Sequence, residues 1–172
     1  MTWTAPDVDR DRAPVVADER AMLDAWLDFH RQTLLRKCTG LTAEQLRTAS
    51  VEPSNMTLLG LVRHSAENER WWFRQQFAGL DLPYHYYTEE QRDRDFEDVT
   101  AADPKADLAT LREEIELVRQ TVAGRSLDET FVGPKGRDIS LRWVYVHMIE
   151  EYARHNGHAD LIRERIDGTT GE

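Results

Sequence analysis

The feature that most narrows how this chain can fold is the stretch SLRWVYVHMIEEYARHNGHADLIRE, residues 140–164. Leu141, Val144, Met148, Ala159 and Ile162 recur there at the spacing of one helical face, and no proline interrupts them. Three of the chain's six histidines, with a pair of adjacent glutamates, fall inside the same run. At about 100° per residue, with His147 as zero, Glu151 falls at about 40°, His155 at about 80° and His158 at about 20°. Val144, Met148 and Ile162 share that arc, with Leu141, Tyr152 and Ala159 on its edge. Arg142, Glu150, Asn156, Asp160 and Glu164 lie well outside it. The titratable stripe is therefore expected to run inside the apolar face.

Desolvating a carboxylate and several imidazoles without partners costs several kcal/mol each. A domain whose net stability is about 5–15 kcal/mol cannot absorb that. A divalent ion would compensate the stripe. Glu151 and His155 are one turn apart, about 6 Å along the axis, and can converge on one ion that takes a further ligand from another helix. His64 supplies that ligand, because it lies in a row with Leu61, Ser65, Asn68 and Trp72 on one face of a second helix. His147 and His158 are expected to orient the ligands from behind. The alternative is a buried, hydrogen-bonded polar cluster with no metal.

Periodicity defines the remaining elements. A first helix is expected from Asp18 to about Lys37, stopped by Gly40. A second is capped by Thr57 and ends at Gly79, and a third runs from Pro104 to about Val122. The last begins at Ser140 and continues to about Ile166. DETFVGPKGRDISLRW reads as two short strands around a Gly-Pro-Lys-Gly turn. The fold expected is all-α: a four-helix bundle with a long loop between helices two and three and a small hairpin before helix four. Residues 1–17 are expected to form a mobile arm, 18–167 a single helical domain and 168–172 a C-terminal tail.

The long loop, 80–98, has no clean period, and loops of this length in compact domains are commonly functional. It must fold back to reach His64. Pro83, Tyr84, His85, Tyr86 and Tyr87 then supply rings with polar tips suited to lining a substrate cleft over the ion end, the alternative being a solvated connector with its acids facing water. Trp71, Trp72, Phe73 and Phe77 spread round the second helix, more apolar surface than one buried face absorbs, which points to a homodimer. Trp143, like Trp71 and Trp72, is read as packing. Arg74 and Arg154 are read as solvated charges, and His30 and His85 as ordinary surface or loop residues.

Charge and composition exclude whole classes. The net charge of −10, from 22 Lys and Arg against 32 Asp and Glu, opposes binding to nucleic acid or an anionic membrane surface. No apolar run approaches the roughly 18 residues of a membrane span. The N-terminal residues lack the apolar region of a secretory signal. Cys38 is the single cysteine, so no disulfide can form within the chain, and a reducing cytoplasm is the expected location. With Lys37 alone beside it, Cys38 is read as a helix-end residue rather than a catalytic thiol.

His64 with the stretch from Glu67 to Trp72, and the long run of the last helix, resemble the DinB-like superfamily of metalloenzymes. The likeness is strongest to its actinobacterial branch, related to mycothiol-dependent maleylpyruvate isomerases, and it covers residues from about 18 to 166. The resemblance implies a four-helix bundle holding zinc or nickel through one histidine of the second helix and two ligands of the last. Carried over, these are His64, Glu151 and His155, followed by Asn156 and Gly157. Glu151 stands where many members have histidine, although the isomerase branch resembles this chain in using glutamate, and His158 stands where many have glutamine. Relatives commonly pair as dimers.

Di-iron bundles use Glu-x-x-His on paired helices, whereas this chain has Glu-x-x-x-His and His-x-x-Glu, which disfavours a ferritin-like oxidase. The implied activity is a metal-dependent transferase or isomerase using a low-molecular-weight thiol such as mycothiol on a small-molecule substrate. The rival reading is a non-catalytic metal or small-ligand stress protein whose ion only ties the helices together. A third is a bundle whose site has decayed. No catalytic or cofactor-contacting side chain beyond the metal set is assigned by sequence.

Overall fold

In a computed structural model of the chain, residues 2–88, 90–91 and 93–171 are described. Positions 1, 89, 92 and 172, which belong to the expected arm, loop and tail, lie outside them. The protein is mostly helical. Helix α1 spans Glu19–Cys38, α2 Ala43–Leu46, α3 Leu58–Glu69, α4 Arg94–Glu97, α5 Pro104–Val122 and α6 Leu141–Asp167. Strands β1 (Thr130–Val132) and β2 (Asp138–Ser140) pair antiparallel, Phe131 opposite Ile139, as the expected hairpin.

The ends follow from local chemistry. Asp18, Thr57, Asp103 and Ser140 each accept a backbone N–H of the first turn of α1, α3, α5 and α6. Gly168 closes α6 in the left-handed region, φ 78°, where a side chain would be strained.

Helix α1 packs along α6, and α3 lies along α5 while also touching α6 and α4. Leu27, Leu34, Leu58, Leu61, Leu108, Leu111, Val144 and Met148 fill the space between the long helices, almost fully buried. No helix among the described residues is long and apolar enough to cross a membrane.

Three features depart from the sequence reading. The second long helix is α-helical only to Glu69, and Arg70–Phe77 continues it as a π-helix, with wider turns. That segment absorbs its own rings. Phe73 and Phe77 are buried against Tyr145 and Phe131, Trp72 packs on Trp143, and Trp71 stacks on Tyr84. The rings that suggested a homodimer thus find partners within the chain, with Trp71 and Trp72 left half-buried. The N-terminal residues also make contacts their composition does not reveal: Ala5, 4% exposed, exchanges backbone hydrogen bonds with Gly40 and Leu41. Finally, Tyr145 and Asn156 are buried on α6, so its buried arc is centred further round than the apolar residues alone suggested. His147, Glu151, His155 and His158 therefore run along the flank of that arc, half-buried.

Between α1, α3 and α6 lies a buried ionic node. Arg31 grips Glu69 through two bonds, Nε to Oε1 at 2.7 Å and Nη2 to Oε2 at 2.6 Å, and the Tyr152 hydroxyl donates to Oε1 at 2.8 Å. All three residues are at most 4% exposed. A buried pair contributes modestly against an apolar substitute, but removing one partner strands the other charge. Glu69→Ala is expected to destabilise the protein by about 3–5 kcal/mol, read as a lower urea midpoint; a loss under about 1 kcal/mol would show that water reaches Arg31.

Candidate metal centre

The three donors expected from sequence meet between α3 and α6. His64, Glu151 and His155 each offer a ligand atom, and these atoms all lie within 4.8 Å of one another. Glu151 Oε2 is 3.8 Å from His64 Nε2 and 3.5 Å from His155 Nε2. Ligands about 2.0–2.1 Å from a tetrahedral ion stand about 3.3 Å apart, so the donors need only small shifts to hold one. Two imidazoles and a carboxylate suit zinc or nickel. Their side chains are 17%, 18% and 12% exposed, so solvent reaches the centre without flooding it.

The electrostatics follow from the packing. The His155 and His64 imidazoles hold the Glu151 carboxyl well below the usual carboxylate range. Burial works to lower the pKa of His64, but the Asp95 and Glu151 carboxylates outweigh it and raise it to about 9. Asn68, one turn on, places its amide nitrogen 2.9 Å from His64 Nε2.

The other stripe residues take different places. His158 Nδ1 lies 3.4 Å from His155 Nδ1, the ring nitrogen turned away from Glu151's partner atom, so it abuts that ligand from behind. His147 stacks on Trp143 with ring centroids 4.7 Å apart and meets Trp72 edge-on at 4.8 Å. Its ligand atom also clusters with Glu150 and Glu151, although Glu150 is tied to the exposed Arg154 at 2.5 Å. Burial and the two tryptophans thus fix His147 as a wall beside the centre.

The long loop returns along α3, as its tyrosines suggested. The Tyr87 hydroxyl reaches His64 Nδ1 at 3.2 Å, and Phe96 lays its ring 4.9 Å from that of His64. Glu67, nearly fully buried, accepts the backbone N–H groups of Tyr86 and Tyr87.

A family model described as mycothiol-S-transferase matches residues 22–168. The chain belongs to the mycothiol-S-transferase family. All five stripe and helix residues discussed above, His64, His147, Glu151, His155 and His158, fall within the matched region. Among solved structures, the chain is similar to a conserved protein from Enterococcus faecalis, at 15% identity and a TM-score of 0.66. That likeness covers 90% of this chain and 100% of the other, and shows a shared fold. No curated protein matches the chain.

Within this family member, sequence reasoning missed the loop's two anchors. Asp95 is fully buried and sits 2.8 Å from His64 Nδ1; it lies in an aperiodic, acidic stretch that gives no sign of an inward carboxylate. Glu114 gathers Arg70 Nη2 at 2.6 Å, Arg74 Nη1 at 2.8 Å and His85 Nε2 at 3.0 Å, so Arg74 and His85 are not the solvated residues expected. A glutamate on the buried row of α5, two turns from Asp107, was the available signal. Cys38 is fully buried and its thiol is pushed up to about 12, which fits the inert role read from sequence.

Burial alone would raise the Glu114 pKa, but hydrogen bonds from His85, Arg70 and Arg74 dominate and lower it to about 2. A depressed carboxylate stabilises the fold above its unfolded pKa and ceases to do so as pH falls through the folded value. Glu114→Gln is therefore expected to be less stable than wild type at neutral pH by about 3 kcal/mol at most, with the gap closing between about pH 4.5 and 2. Urea midpoints across that window check it; a gap independent of pH would remove the ionic account.

Proposed function

We propose that the chain is a divalent-metal-dependent transferase of a low-molecular-weight thiol of the mycothiol type, acting on a small electrophilic molecule. In this reading α1, α3 with its π-helical continuation, α5 and α6 form a four-helix bundle, and His64, Glu151 and His155 hold zinc or nickel. The observation that carries it is the convergence of two imidazole nitrogens and one carboxylate oxygen within 4.8 Å in a chain of the mycothiol-S-transferase family.

When bound, the ion supplies a Lewis-acidic position at which a thiol loses its proton near neutral pH. The chain's own residues do the rest. Glu151 stays ionised at every physiological pH, so it neutralises part of the charge the site gathers. His64 and His155 present Nε2 from two different helices, which leaves a side of the centre to a small molecule. Trp72, Trp143 and His147 form a rigid aromatic wall beside Glu151, and Tyr87 and Phe96 cover His64 from the loop side. These rings exclude bulk water and offer faces to an apolar or sugar-bearing ligand. The buried thiol of Cys38 is no competitor for the substrate, and a thiol co-substrate suits a reducing cytoplasm.

A non-catalytic, structural ion would need a fourth protein ligand to close its coordination. The candidates are His158, whose Nδ1 faces His155 Nδ1 rather than the cluster of ligand atoms, and His147, whose ligand atom groups with Glu150 and Glu151 and not with His64 and His155. Those placements favour the catalytic reading.

Protein purified without a histidine tag is expected to carry close to one zinc or nickel per chain, and to consume a small thiol in the presence of an electrophile. His155→Ala is expected to lose most of the metal, the metal-dependent rise in melting temperature and the turnover together. Metal content unchanged in the single alanine variants of all three donors would sink the assignment. Bound metal with no turnover across a panel of thiols and electrophiles would return the ion to a structural role.

A further inference from the structure

Of the three donors, His64 is the one that meets the loop. Asp95 Oδ2 lies 2.8 Å from His64 Nδ1, and the Tyr87 hydroxyl is 3.2 Å from both atoms. The other carboxylate oxygen accepts the backbone N–H of Phe96 at 3.0 Å. Asp95 is 0% exposed, and a buried carboxylate costs several kcal/mol unless it is paired and hydrogen-bonded. The approach is built into α3 as well. A Cβ at Gly60 would stand 3.0 Å from Phe96 Cδ1 and 3.4 Å from its Cα, so α4 seats this closely because residue 60 has no side chain.

An ionised carboxylate only accepts hydrogen bonds. Nδ1 must therefore carry its proton toward Asp95, which leaves Nε2, the atom 3.8 Å from Glu151, as the nitrogen with a lone pair to give. We propose that Asp95 is a positioning residue of the metal centre: it accepts a hydrogen bond from the Nδ1–H of His64, fixes the ring's rotation and commits Nε2 to the ion, with Tyr87 as its hydrogen-bonded support. The inference rests on reading His64, Glu151 and His155 as ligands.

The test uses the full chain with Asp95→Asn, Asp95→Leu and Tyr87→Phe. Cobalt(II) binding is followed by its visible absorption, and ring-nitrogen NMR locates the His64 proton in the metal-free protein above the His64 pKa of about 9. Asp95→Asn keeps an oxygen that can accept from Nδ1, so the proton is expected to stay on Nδ1 while cobalt affinity falls about 10–100-fold. In Asp95→Leu the affinity falls at least as far and the proton moves to Nε2. Tyr87→Phe loses less affinity than either. Wild-type cobalt affinity in both Asp95 variants, or an Nδ1 proton that survives in Asp95→Leu, overturns the proposal, and the isosteric Asn variant decides should Leu not fold. A wild-type chain that binds no cobalt defeats the ligand reading instead, while the ring-nitrogen spectrum still shows whether Asp95 holds the proton.

Discussion

The contact on which the rest of the structure depends is the bidentate pairing of Arg31 with Glu69, closed by the Tyr152 hydroxyl. It joins α1, α3 and α6 at one level, with Asp28 of α1 holding the remaining guanidinium nitrogen of Arg31 at 2.9 Å. Glu69 lies five residues beyond His64, and Tyr152 directly follows Glu151. The node therefore fixes the height and rotation of α3 against α6, and with them the distance from His64 to Glu151. A chain held only by leucines could slide by a fraction of a turn at little cost, because apolar contact is non-directional. Two charge-assisted bonds of fixed geometry cannot. A metal centre shared between helices needs that rigidity, since a displacement of one ångström is large compared with a coordination bond.

A second ionic node does for the loop what the first does for the helices. Glu114 on α5 collects Arg70 and Arg74 from the π-helical segment and His85 from the loop. Arg70 also donates to the Pro83 carbonyl, and Glu67 holds the backbone of Tyr86 and Tyr87. The loop is thus pinned through its backbone at 83–87 before it reaches the centre, which lets Tyr87 and Asp95 arrive at His64 in fixed positions. The wider turns of the π-helix bring arginines four residues apart to the same carboxylate, an arrangement consistent with π segments marking functional places.

Helix identity, caps and the three converging donors were legible because each depends on short-range patterns. Ser140, Thr57 and Asp18 sit where a first turn needs an acceptor, and the i, i+4 relation of Glu151 to His155 is a property of one helix. The convergence of His64 on them was legible once both helices had inward faces. What stayed hidden depends on long-range geometry. Asp95 stayed hidden because nothing local distinguishes a carboxylate that will meet a histidine from one that will meet water, and the place of Glu114 on the inner row of α5 could not show that Arg70, Arg74 and His85 would gather on it. Arg31 and Glu69 are 38 residues apart, and neither sits in a motif. The rings of the second helix show the same limit: counting them could not show that the hairpin, the loop and α6 would supply their partners within the chain.

The position of the stripe on α6 resolves a tension in the sequence. If His147, Glu151 and His155 lay at the centre of the buried arc, their desolvation would be severe and a substrate could not reach an ion between them. On the outer face, water would compete for every donor and the field of the site would be screened. The flank gives both: Val144, Met148 and Tyr152 pack inward beside them, while 12–18% of the His155 and Glu151 side chains keeps contact with solvent. Tyr145 and Asn156 accompany this rotation of the helix, each placing a donor inward against α1. The Tyr145 hydroxyl donates to Asp24 at 2.7 Å, and the Asn156 amide donates to the His30 carbonyl at 3.0 Å. Partners on α1 thus satisfy the Tyr145 hydroxyl and the Asn156 amide nitrogen, while Asn156 Oδ1 stays buried without one, and the helix turns its titratable edge toward α3.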